Sequence, residues 1–108
     1  MEITINELKN KTEVERKYFM DVRVNEKKKI VSIVIKVKET VYLNSGTDRV
    51  ELFNQEVGIL FNVCEFIDNT DKVISTIKNA KIFTNDIIEK IIDIGEKLNV
   101  EKVVFSIY

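Results

Sequence analysis

Two neighbouring segments alternate apolar and polar side chains, and this alternation constrains the fold more than any other feature of the chain. A spacing of two residues is typical of a strand with one buried face. The polar connection at residues 25–28 has the length and composition of a hairpin loop. The sequence therefore predicts strands over residues 14–24 and 29–38, the second continuing, with a bend, through residues 41–43. The alternating apolar residues are Tyr18, Met20, Val22 and Val24 in the first segment and Val31, Ile33, Ile35 and Val37 in the second.

The predicted register for this hairpin places Val24 opposite Lys29 and Met20 opposite Ile33. All the alternating apolar residues then share one face, which we expect to be buried, and the other face is mainly polar. Phe19 and Val34 interrupt that polar face. They need cover, which either a helix of the same chain or a partner surface, including a second copy, would supply.

Residues 48–68 contain many strand-forming residues, but their polar positions favour a helix. These positions fall on one narrow stripe with a period near 3.6 residues. Asp48 and Glu51 resemble a capping box, and Gly46 suits the turn before it. The pattern predicts one long helix with Cys64 buried on its apolar side. The stripe consists of Glu51, Asn54, Gln55, Gly58, Asn62, Glu65 and Asn69.

The remaining chain predicts short elements around this hairpin and helix. Residues 1–12 fit either a short strand or a helical turn, and residues 81–83 fit a connector or a short strand. Helices are expected over residues 71–80, with Val73, Ile74 and Ile77 facing inward, and over residues 86–98. Residues 100–108, in which Val103, Phe105 and Ile107 face one way, predict a last strand that pairs with the hairpin. The sequence thus predicts a single α+β domain over residues 1–108, with an antiparallel hairpin and a C-terminal strand forming a small sheet packed by about three helices.

The composition argues against catalysis. The chain has no histidine and one cysteine, so the usual proton-transfer group near neutral pH and the commonest metal ligand are both missing. The three glycines are too far apart to form a phosphate-binding loop. The plentiful carboxylates lie on predicted polar faces, where solvation explains them. We therefore expect no enzymatic activity, no cofactor and no metal.

The same composition bears on location. A single cysteine cannot form an internal disulfide, which favours a reducing, cytoplasmic setting. No apolar run approaches the roughly 18 residues of a membrane span, and residues 1–10 do not have the pattern of a signal peptide. An abundance of Ile, Lys and Asn suggests an AT-rich genome or a mobile element.

The charges are segregated, although the net charge is only −1. Residues 50–71 contain five acids and no Lys or Arg, whereas the hairpin is rich in cations. A basic hairpin is usually a solvated face or a guard against edge aggregation, but it can also contact phosphates or a protein.

The leading hypothesis is a non-enzymatic protein that binds another protein, such as a phage- or mobile-element-encoded inhibitor or immunity protein, with a homodimer as a further option. Its candidate contact residues are Phe19, Val34, Lys36, Lys38, Glu51 and Glu65. The alternative is a nucleic-acid-binding accessory protein that uses Arg23, Lys27, Lys28, Lys29, Lys36 and Lys38.

Overall fold

The structure is a computed structural model that describes residues 1–106, so the prediction for Ile107 lies outside the described residues. Helix and strand are mixed, with 34% of residues helical and 48% in strands. This content confirms the coarse α+β class. In chain order the elements are β1 (Glu2–Thr4), α1 (Ile5–Lys11), β2 (Thr12–Asn25), β3 (Ile30–Ser45), β4 (Asp48–Asn62), α2 (Val63–Asp68), α3 (Thr70–Lys78), α4 (Thr84–Lys97) and β5 (Lys102–Val104).

The predicted hairpin is confirmed as β2 and β3, and β3 continues to Ser45 as expected. At the end of β2 the Asn25 side chain accepts a hydrogen bond from the Lys28 backbone N–H at 3.1 Å, which stabilises the turn. Lys29 completes this turn with a φ of 52°. A second turn at Gly46 and Thr47 leads into β4, and the φ of +64° at Gly46 explains the glycine there.

The prediction of one helix over residues 48–68 is wrong. Residues 48–62 form β4, which lies beside β3 in a three-stranded sheet of order β2-β3-β4. Only the last residues are helical: α2 begins after Asn62, whose side chain accepts the Glu65 backbone N–H at 2.7 Å. The tight turn at Gly46 places β4 next to β3, so pairing of strand-forming residues outweighs the helical spacing of the polar ones.

The C-terminal strand forms, but its predicted partner is wrong. β5 pairs antiparallel with β1, with Ile3 opposite Val103, in a separate two-stranded sheet. The first residues of the chain therefore combine both predicted options, a strand followed by a helix. That helix, α1, begins after Thr4, whose hydroxyl accepts the Glu7 backbone N–H.

Two other predicted helices are confirmed close to their expected bounds. Asn69 separates α2 from α3, and residues 79–83 connect α3 to α4 without a strand. Asn99 follows the last helix with a φ of 55°, a conformation typical of a residue just past a helix C-terminus. In α3, Val73 is buried as predicted, whereas Ile74 is exposed.

The chain divides into two compact units. The terminal unit comprises Met1–Arg16, Glu39–Gln55 and Phe83–Tyr108, and the hairpin unit comprises Lys17–Lys38 and Glu56–Ile82. The core of the terminal unit consists of Ile3, Ile5, Leu8, Val41, Leu43, Leu52 and Ile88, with Phe53 and Phe105 among the residues packed against it. Gly95 lies against Ile5, at a place where a Cβ atom would be 2.8 Å from the Ile5 Cδ1.

The hairpin unit has a smaller core. Ile33 and Ile35 of β3, Phe61 of β4 and Val73 of α3 are its buried members. Ile59, Phe66 and Ile77 pack against them. No described residue of β2 belongs to this cluster, so α2 and α3 cover β3 and β4 but leave β2 without an equivalent layer.

Candidate protein-binding surface

The hairpin unit exposes an unusual amount of apolar side chain. Met20 is 61% exposed and Val24 is 65% exposed, which contradicts the prediction that the apolar face of the first strand is buried. The reason is the position of β2: it lies at the edge of the sheet, outside the part that the helices cover. The exposed apolar residues of this unit are Tyr18, Phe19, Met20, Val22, Val24, Val31, Val57, Leu60, Ile67 and Ile74.

Part of this surface is concave. A groove of about 300 Å³ lies between β2, β3 and α3. Its floor and walls are almost entirely apolar, and Lys78 is the charged residue among those that line it. A groove of this character fits an apolar side chain of another protein better than a polar metabolite. The lining residues are Tyr18, Phe19, Met20, Ile35, Ile74, Ile77 and Lys78.

The structure separates the two predicted apolar contact residues. Phe19 is half exposed and lines the groove. Val34 is buried, and a Cβ atom on Gly58 of β4 would lie 3.5 Å from its Cγ1 atom. Strand β4, which was expected to be helical, thus lies beside Val34, and Phe19 is the member of the pair that a partner can reach.

The long helix that was predicted to carry Glu51 and Glu65 on one polar face does not form. Glu51 lies on β4 in the terminal unit, where its carboxylate accepts a hydrogen bond from the Asn54 side chain at 2.6 Å. Glu65 lies in the first turn of α2 in the hairpin unit. Cys64 is exposed rather than buried, because the helix that would have buried it begins only at Val63.

The cations of the hairpin unit differ in their surroundings. Arg23 donates a hydrogen bond to the Asp21 carboxylate at 3.1 Å, and Lys36 lies 4.0 Å from Glu56. Lys38 is half-buried on β3. The three turn lysines, Lys27, Lys28 and Lys29, are exposed. The turn lysines therefore carry most of the alternative nucleic-acid hypothesis, since acidic neighbours partly neutralise Arg23 and Lys36.

Buried polar groups of the terminal unit form a structural network. The Glu39 carboxylate accepts hydrogen bonds from the Arg16 guanidinium at 3.0 and 3.2 Å and from the Thr84 hydroxyl at 2.9 Å. Thr84 is fully buried, and Glu39 is nearly so. A buried carboxylate with these donors is well satisfied, and the network ties the start of α4 to β3.

An exposed charged cluster also belongs to the terminal unit. The Arg49 guanidinium lies 4.0 Å from the centre of the Tyr42 ring and 2.8 Å from a Glu15 carboxylate oxygen. The hydrogen bond to Glu15 raises the pKa of Arg49, and the nearby charge of Glu13 acts in the same direction. An arginine that stays charged on an aromatic ring is an ordinary surface stabiliser.

Neither a metal cluster nor a membrane-spanning helix is found in the described part of the chain. No group of three or more Cys, Asp or Glu side chains is arranged to hold a metal ion within residues 1–106. Over the same residues, no helix has the length and apolar character needed to cross a membrane.

The groove residues were missed, apart from Phe19. The sequence pattern places Tyr18, Met20 and Ile74 in the core, although all three are exposed. The inward prediction for Ile77 is confirmed, since it packs against the buried cluster. One feature could have revealed this surface. α3 is too short for its apolar side to cover three strands, so some apolar residues of the sheet must stay exposed. Comparisons with family models, with curated proteins and with solved structures find no match.

Proposed function

We propose that this protein is a non-enzymatic binding protein whose hairpin unit receives another protein through the groove beside β2. The observation that carries the proposal is the apolar lining of that groove, with Phe19 half exposed at its side. Burying such side chains against a partner removes apolar surface from water, at about 25 cal/mol for each Å². Aromatic residues in such positions commonly dominate the energy of an interface.

The groove favours a particular kind of contact. A partner that inserts one or two apolar side chains between β2 and α3 would cover Tyr18, Phe19 and Ile74 together. The proposed partner segment is therefore apolar.

Substitution of the groove tests this proposal. The purified protein is immobilised and exposed to an extract of the cells that express it, in parallel with the Phe19→Asp variant. A carboxylate in the groove should weaken retention of a specific partner at least tenfold, because its charge would lose water to an apolar partner side chain and the aromatic contact of Phe19 would be gone. Leu98→Asp is the matched control, since Leu98 is an exposed apolar residue of the terminal unit.

Two results would contradict the proposal. The first is a partner that binds wild-type protein and Phe19→Asp equally well. The second is a partner that is lost equally from Phe19→Asp and Leu98→Asp, which would indicate non-specific adhesion to exposed apolar residues. Circular dichroism of each variant establishes that the fold is unchanged before the comparison is made.

A further inference from the structure

Strand β2 presents a free edge. It is the first strand in the order β2-β3-β4, so β3 is its neighbour on one side within the described sheet. In the hairpin unit nearly every residue of β2 is exposed. Edge strands of this kind carry unpaired backbone N–H and C=O groups that can pair with another strand. Natural proteins often protect such edges with proline, but this chain has none.

The side chains of this edge are complementary to themselves. When two copies of β2 run antiparallel with Val22 opposite Val22, Asp21 of each copy lies opposite Arg23 of the other, twice in the pair. On the other face Met20 lies opposite Val24, also twice. Cross-strand pairs of opposite charge and of apolar residues are those that stabilise a sheet. Within one chain Asp21 and Arg23 already lie 3.1 Å apart, so the pairing would join two such pairs into one network.

Other registers are worse. Centring the pair on Asp21 places two carboxylates opposite each other, and centring it on Met20 places Lys17 opposite Arg23. Centring it on Phe19 places Lys17 opposite Asp21 but also Arg23 opposite Glu15, whose carboxylate already accepts a hydrogen bond from Arg49 at 2.8 Å. The other edge strand, β4, has a single cation, Arg49, whose guanidinium already donates to Glu15 at 2.8 Å and lies on the Tyr42 ring. Its other charged residues, Asp48, Glu51 and Glu56, are all acidic. Among these options, the Val22 register of β2 alone brings opposite charges together without drawing on Glu15 or Arg49, which already pair with each other.

We infer that the occupant of this edge is a second copy of the same chain, paired antiparallel through β2 with Val22 on the two-fold axis. Pairing of identical strands in this way is closed, so it yields a dimer rather than a polymer. The inference goes beyond the proposed function, which concerns the groove and a different protein. The pairing also extends the sheet from three strands in each copy to six across the dimer.

Cross-linking tests the register directly. In a Cys64→Ser background, Val22→Cys should form an intermolecular disulfide, because directly opposite residues of an antiparallel pair have Cα atoms about 4.5–5.5 Å apart, within the range of a disulfide. Val24→Cys is the matched control on the same strand: its two copies would be about 14 Å apart. Mixing Met20→Cys with Val24→Cys should restore cross-linking between the two variants.

Charge reversal tests the same pairing without cysteine. By light scattering the wild-type protein should show twice the chain mass of 12.6 kDa. Asp21→Arg and Arg23→Asp should each weaken the dimer about tenfold or more, since like charges then lie opposite each other. A mixture of these two variants should dimerise again, and so should the double variant that carries both changes.

Several results would overturn the inference: a chain mass that stays at 12.6 kDa up to millimolar concentrations, equal cross-linking by Val22→Cys and Val24→Cys, or growth beyond a dimer. These outcomes are separate from those of the groove test. If the dimer fails while Phe19→Asp still loses its partner, the proposed function stands alone. If the dimer forms and the groove test fails, β2 self-association stands alone.

Discussion

The two units of this chain use their apolar residues differently. The terminal unit buries seven large apolar side chains in one cluster, whereas the corresponding cluster of the hairpin unit has four. Among the described residues, ten of the sixteen exposed large apolar side chains belong to the hairpin unit. The terminal unit therefore has a well-filled core, whereas the hairpin unit has an incompletely covered sheet.

This difference indicates a division of roles. Core packing supplies most of the free energy of folding, and the terminal unit adds the satisfied Glu39 network to it. Exposed apolar surface contributes little to stability and promotes association. We therefore expect substitutions in the terminal unit to change the free energy of unfolding, and substitutions on the exposed surface of the hairpin unit to change binding instead.

The sharpest test of this comparison is a pair of leucines. Leu8→Ala, in the core of the terminal unit, should lower the free energy of unfolding by about 2–5 kcal/mol, because it removes buried atoms and leaves a cavity. Leu60→Ala, at a position that is 67% exposed on β4, should change it by no more than about 0.5 kcal/mol. Urea unfolding monitored by circular dichroism measures both values.

The two leucine variants carry the same chemical change, so each is the control for the other. Similar losses in the two variants would mean that the exposed surface of the hairpin unit contributes to folding, and the division of roles would be wrong. A change in the slope of the unfolding transition would show that the compactness of one state has changed rather than its stability.

The Glu39 network gives a second, smaller effect. Thr84→Val keeps the shape of the side chain but removes the hydroxyl that donates to Glu39. It should lower the free energy of unfolding by about 1–3 kcal/mol, because a buried carboxylate oxygen loses its partner. Thr76→Val is the control, since the Thr76 hydroxyl is exposed and donates to the Lys72 carbonyl within α3. Equal effects of the two variants would show that Glu39 does not depend on Thr84.

The sequence was sufficient for the elements whose signal is local. The alternation in β2 and β3 predicted the hairpin, and the apolar spacing of residues 86–98 predicted α4 within about a turn. The sequence also predicted a helix end at residue 68 and a new helix from residue 71, and Asn69 separates α2 from α3. In each of these segments the local preference agrees with the pairing or packing that the chain finally makes.

Long-range pairing explains what the sequence did not reveal. Residues 50–62 are compatible with both structures, and the choice depends on whether β4 can reach β3 through the turn at Gly46. The partner of β5 depends on β1, which lies about a hundred residues earlier. The candidate surface was missed for the same reason: Met20 alternates like a core residue, and only the order of the strands shows that no helix covers it.

The smallest expected effect concerns the turn lysines. If the exposed surface of the hairpin unit serves protein binding, changing Lys27, Lys28 and Lys29 together to Glu should leave the free energy of unfolding within about 0.5 kcal/mol. It should also leave partner binding unchanged. Fluorescence anisotropy with labelled duplex DNA at low salt should show no binding by the wild-type protein.

The opposite result has its own quantitative signature. Each lysine that contacts a phosphate would steepen the fall of log affinity against log salt concentration by about 0.9. Binding of duplex DNA that loses a slope of about 2.7 in the triple Glu variant would assign all three turn lysines to phosphate contacts. The hairpin unit would then present its charged tip to nucleic acid. Testing Phe19→Asp in the same DNA assay would show whether the apolar groove, at the other end of the exposed stretch of β2, also takes part in that binding.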